Sequence, residues 1–172
     1  MKRRHFLQFT GSTIAALSLS NLNNYAQVLA QATPRKLALL VGINKYPTNP
    51  RYVNLNGCVT DVALQEELLV NRFGFNRQDI IKLTSDSPLE FRPTRKNILQ
   101  KFEEHLIKQA KPGDIVVFNF SGHGSRILDP NPIRNCSNPK FNDNYNSTLV
   151  VPDELQNDLA PDIMGRTLFL LR

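Results

Sequence analysis

The chain has 172 residues, 41% of them apolar, and a formal net charge of +6. That leaves room for one domain with a sizeable core and argues against a second. Two cysteines, Cys58 and Cys136, are too few for a disulfide scaffold, although an oxidising compartment would permit one bridge.

The first 32 residues stand apart. They hold Lys2, Arg3 and Arg4, no acid, and a soft apolar stretch from Ile14 to Leu22. This pattern predicts an export signal. Arg3-Arg4-His5-Phe6-Leu7 looks like the twin-arginine type that carries folded proteins across the bacterial inner membrane, and Ala30-Gln31-Ala32 supplies a small-residue cleavage site. The stretch is too short and too rich in Ser and Asn for a membrane span. Its removal lowers the formal charge from +6 to +3, leaving a domain of residues 33–172 in a periplasmic or other extracytoplasmic space. The tightest remaining basic group is Arg92, Arg95 and Lys96, with no aromatics interleaved along a basic stripe, so no nucleic-acid partner is expected.

Lys36 to Ile43 is a continuous apolar run, as expected of a central parallel strand covered on both faces. A polar loop follows from Asn44 to Gly57. Val59, Val62, Ala63, Leu69, Val70 and Phe73 then recur at helical spacing, with Gly74 placed to end the helix in a left-handed cap. Ile80 to Leu83 predicts a short strand. Thr94 opens a second helix with Ile98, Leu99, Phe102, Leu106 and Ala110 on one face, and Pro112-Gly113 closes it. Asp114 to Phe120 predicts a buried strand that delivers Ser121-Gly122-His123-Gly124. Leu128 to Asn146 reads as a long surface loop, Ser147 to Val151 as a further strand, and the tail from Gly165 to Arg172 carries no helix signal. Strand, helix, strand, helix, strand implies an α/β fold with a mostly parallel sheet and helices on both faces.

In such a sheet the ligand crevice lies at the carboxyl ends of the strands, which makes His123 the leading catalytic candidate. Taken alone, it could equally satisfy a loop carbonyl. Asp61 lies in the first turn of a helix, where the dipole favours its charge. A nucleotide- or phosphate-binding function finds little support, because Gly42-Ile43-Asn44-Lys45 is not a glycine-rich phosphate loop.

Four segments in order resemble the large-subunit half of the caspase-like cysteine peptidases, in the bacterial metacaspase or orthocaspase branch. They are Leu39 to Tyr46, Leu55 to Val62, Asp114 to Gly124, and Ser147 to Asp153. The resemblance implies a caspase-haemoglobinase-like three-layer sandwich. It implies that His123 raises the thiolate fraction of a cysteine and that the Gly124 N–H stabilises an oxyanion. It places Asp61 and Ser121 near an acidic pocket for a basic residue of a protein or peptide substrate, and Cys58 as an accessory, non-catalytic cysteine. Calcium is required by several metacaspases, and Asp129, Asp143, Asp153 and Glu154 are the acids that could bind it, but their spacing fits no compact loop motif.

The departure from the family lies after Ile163. In caspases the nucleophile follows the histidine by roughly 50 residues. Only 49 residues follow His123 here, and no Asp-x-Cys-His-Ser-Gly segment occurs among them. Cys136 lies 13 residues after His123 in a polar loop without glycines or a strand to fix it. The expectation is a C-terminally truncated, incomplete domain, inactive alone, with two readings. One is an endopeptidase whose cysteine comes from a separately encoded small subunit. The other is an inactive exported module that binds basic peptides.

Overall fold

The computed structural model describes residues 34–47, 51–129, 144–153 and 162–171. The expected export signal, Cys136, Asp143 and Glu154 lie outside these. The first strand, β1 (Lys36–Gly42), is the centre of a three-stranded parallel sheet in the order β2-β1-β3, with β2 at Ile80–Thr84 and β3 at Ile115–Ser121. Residues 37 to 41 are fully buried. Strand alternation sends them to opposite faces. Leu37, Leu39, Val41 and Ile43 join one core with Leu83, Ile98 and Leu106, whereas Ala38 and Leu40 join another with Val62, Leu69 and Phe75. Each buried leucine contributes about 1.5–3 kcal/mol, so the continuous apolar run that marks β1 in the sequence is also the main stabilising element.

Helix α1 (Cys58–Phe73) covers one face. It ends as expected at Gly74, whose φ of 65° permits the Gly74 and Phe75 N–H groups to reach the carbonyls of Val70 and Leu69. Its start is unusual. Gly57 has no side chain to cap it, and the acceptor is Asn44 Oδ1 from the loop after β1, 2.9 Å from the Cys58 N–H and 3.4 Å from that of Val59. Asn44→Ala is therefore expected to lower stability by about 1 kcal/mol, the usual cost of a lost cap, measurable in thermal unfolding.

The other face is covered by α2 (Arg95–Lys101), capped by Thr94, whose hydroxyl accepts the Asn97 N–H at 3.2 Å. The sequence suggests one helix to Ala110. Instead the chain widens into a π-helical segment at Phe102–Ile107, with the Lys108 N–H reaching back five residues to Glu103 O. This segment buries His105, whose Nε2 meets Asp79 O at 3.0 Å, and Phe102 packs edge-on against Phe118.

Three further expectations change. Strand β3 is an edge rather than a buried strand: no described strand pairs with its far side, and Ile115 and Val116 are 47% and 43% exposed. The final expected strand starts earlier, as β5 (Tyr145–Leu149), and does not join the parallel sheet. It runs antiparallel between β4 (Gly124–Leu128) and β6 (Ile163–Met164) in a second sheet. The tail forms a short helix, α3 (Gly165–Leu170), where Leu168 packs against the core.

Candidate active site

The chain leaves β3 at Ser121 and enters β4 at Gly124, so His123 lies where the two sheets meet. Its imidazole is partly exposed and flanked by two tyrosine rings, Tyr46 at 4.9 Å and Tyr52 at 5.1 Å between centroids. Nε2 lies 2.8 Å from the carbonyl oxygen of Val53. A carbonyl can only accept, so Nε2 carries a proton, and in the neutral ring Nδ1 keeps its lone pair. The contact thus selects one tautomer of the neutral ring and leaves Nδ1 as its acceptor.

The loop from Asn44 to Gly57 holds that carbonyl. Ser85 Oγ accepts the N–H groups of Asn44 and Lys45 at 3.0 and 3.1 Å. Asn54 Oδ1 accepts the Tyr46 N–H at 2.8 Å, and the Leu55 N–H donates to Asn44 O at 2.7 Å. Tyr46 is buried, and burial pushes its hydroxyl up to about 12 even though the His123 N–H that it accepts pulls the other way. Tyr46 and the Val53 carbonyl are absent from the sequence-derived site. Only the proximity of Tyr46 to the end of β1 hinted at either.

Gly124 is paired with Leu149. Bonded and non-bonded pairs alternate in an antiparallel ladder. The Val150 N–H donates to His123 O and the Asp129 N–H to Asn144 O, which makes Gly124–Leu149 a non-bonded pair. The Gly124 N–H therefore points away from β5, off the edge of its sheet.

Asp61 and Ser121 are brought together: the Ser121 hydroxyl donates to Asp61 Oδ2 across the gap between α1 and β3. With Leu64, Gln65, Asn119 and Phe120 they line an open recess of about 290 Å³. Cys58 is a buried free thiol at the start of α1, and among the described residues no hydrogen bond joins it to His123. Of the acids considered for calcium, Asp129 pairs with Arg166 at 3.8 Å and Asp153 accepts the Arg95 N–H at 2.6 Å. The described residues contain no group of three potential metal ligands.

One further acid escaped sequence reasoning. Asp162, buried beside β5, accepts the Thr148 hydroxyl at 2.7 Å through Oδ2, while Oδ1 has no hydrogen-bond partner among the described residues. Burial raises its carboxyl above the usual range, with Thr148 and Arg51 opposing.

A parallel sheet with a helix on each face and a histidine beyond its carboxyl edge is consistent with the caspase-like fold. A solved structure of a Geobacter sulfurreducens protein shares the fold, with a TM-score of 0.54 at 22% identity over 80% of this chain and 44% of that one. The family model described as metacaspase, peptidase C14 domain, matches residues 36–168, and the chain belongs to that family. It is 40% identical over 109 residues to metacaspase-1B of Aspergillus clavatus, covering 62% of this chain and 25% of that protein. It is 47% identical over 92 residues to metacaspase-7 of Arabidopsis thaliana, covering 54% and 22%. The aligned part is thus about a quarter of these relatives' length.

Proposed function

We propose that this chain is the histidine-bearing half of an exported metacaspase-type endopeptidase that cuts after Arg or Lys. Its nucleophilic cysteine is supplied by a small-subunit segment carrying Asp-x-Cys-His-Ser-Gly. The observation that carries the reading is the Val53 carbonyl on His123 Nε2, which leaves Nδ1 as the acceptor. In the reaction Nδ1 takes the thiol proton of the incoming cysteine and the thiolate attacks the substrate carbonyl carbon. The Gly124 N–H donates to the oxyanion of the tetrahedral intermediate. The imidazolium returns its proton to the leaving amine, and water then hydrolyses the thioester with His123 again as base. Asp61 meets the basic side chain of the substrate, with Ser121 orienting the carboxylate. The exposed edge of β3 is suited to accept a strand from the partner.

The test is cleavage of two fluorogenic peptides, one with Arg and one with Asp at the scissile position. The chain would be co-expressed with a small-subunit polypeptide containing Asp-x-Cys-His-Ser-Gly. Cleavage of the Arg peptide alone, blocked by thiol alkylation, is the expected result. Arg-peptide binding without cleavage would overturn the peptidase reading in favour of the inactive, peptide-binding module. Cleavage of the Asp peptide would overturn the role of Asp61.

A further inference from the structure

We infer that Tyr46 is a positioning residue for His123, acting as a hydroxyl splice in the sheet that carries it. At the His123–Val150 pair the antiparallel ladder should hold two backbone hydrogen bonds. One is present, from the Val150 N–H to His123 O at 3.0 Å. The other is replaced by a relay. The His123 N–H donates to Tyr46 Oη at 2.9 Å, and Tyr46 Oη in turn reaches Val150 O at 3.5 Å. A hydroxyl can accept one bond and donate another, so it suits this place between a donor and an acceptor. The buried hydroxyl remains protonated at any pH where a thiol peptidase works, so both roles persist.

The splice fills the place of the second bond of the pair. The same side chain lies against the imidazole face, so Tyr46 constrains His123 at backbone and ring together. The neighbouring glycine is explained by this arrangement. A Cβ at Gly122 would come within 2.7 Å of Tyr46 Oη and 3.0 Å of the Phe120 ring. Glycine leaves room for the hydroxyl to enter the ladder. Tyr46 is itself fixed from the other end, its N–H donating to Asn54 Oδ1.

The catalytic importance of this arrangement rests on the peptidase reading above, but the positioning itself can be measured without catalysis. The experiment is long-range proton–nitrogen NMR on the full chain labelled at histidine, with His123→Gln used to assign its resonances among the three histidines. In the unaltered chain the neutral form of His123 is expected to be the Nε2–H tautomer. Tyr46→Phe keeps the ring and removes the splice. It is expected to speed exchange of the His123 amide about tenfold, the usual consequence of one lost hydrogen bond, and to mix the tautomers. Gly122→Ala, which displaces the hydroxyl without altering residue 46, should give the same two signatures and serves as the second variant should Tyr46→Phe fail to fold. An unchanged tautomer and amide exchange in a folded variant would overturn the positioning role. In the co-expressed enzyme Tyr46→Phe should lower kcat while leaving KM for the Arg peptide in place. A chain that shows the NMR signatures but no cleavage would refute the peptidase reading and leave the splice intact.

Discussion

Replacing His123 with alanine is expected to lower kcat/KM of the co-expressed enzyme on an Arg-containing peptide by about a thousandfold or more, within the range attributed to a positioned general base. In the proposed reaction the histidine acts twice, first as acceptor of the thiol proton and then as donor to the leaving amine, so no other described group can take over half its task. The fold should survive the change. The imidazole is partly exposed and its own bond goes to a loop carbonyl, while the bond to Tyr46 is made by the His123 backbone N–H, which alanine keeps. Comparing kcat/KM with the thermal midpoint separates the two effects. A variant that keeps its activity would eliminate His123 as the base. A variant that loses activity and unfolds together would show the histidine to be a structural tie.

Gly42→Ala should give the largest loss of stability, about 3 kcal/mol, read from the urea midpoint. An alanine Cβ there would come within 2.5 Å of the Cys58 carbonyl oxygen and 2.8 Å of Val62 Cγ2. Overpacking of a filled core costs about 1–3 kcal/mol, and the upper end applies because one obstacle is backbone. Neither side can yield easily. The Gly42 carbonyl accepts the Ser85 N–H, and the next residue continues the pairing through the Ile43 N–H to Ser121 O. On the opposing side, the first turn of α1 is tied to Asn44. With total stabilities of only about 5–15 kcal/mol, a loss of this size is severe. Displacing α1 would also move Asp61 relative to Ser121, so under the proposed specificity a surviving fraction should discriminate less well between basic and neutral peptides. Unchanged stability would mean that α1 stands further from β1 than described.

The elements that were legible in the sequence are those whose cause is local. The run from Lys36 to Ile43 marks a strand buried on two faces, found at Lys36–Gly42, Gly74 marks a left-handed cap and Thr94 a helix start, and both of these are found in place. His123 was legible because glycines flank it at the end of an apolar strand. What was missed depends on partners distant in the chain. Strand β4 contains Gly, Ser and Arg, with apolar residues only at Ile127 and Leu128, and is a strand because β5 lies beside it. The exposure of β3 cannot be read from its composition, which matches a central strand. The cap on α1 comes from 14 residues earlier in the chain rather than from its own N-terminus. Tyr46 gave no sign of its task because its hydroxyl meets an amide 77 residues away.

The parallel register also sets the order in which this molecule can assemble. Strand β1 pairs Ala38 with Ile80 on one side and with Val117 on the other, so its second partner lies nearly twice as far along the chain as its first. The logarithmic cost of loop closure means that the longer connection adds only about 0.6 kcal/mol per doubling, which stability barely registers. Rate is more sensitive, because distant pairings must be found before they are rewarded. The Val53 loop and Tyr46 follow directly from β1, whereas the histidine they hold arrives with β3. Its aim is therefore set only once the slowest pairing in the sheet has closed.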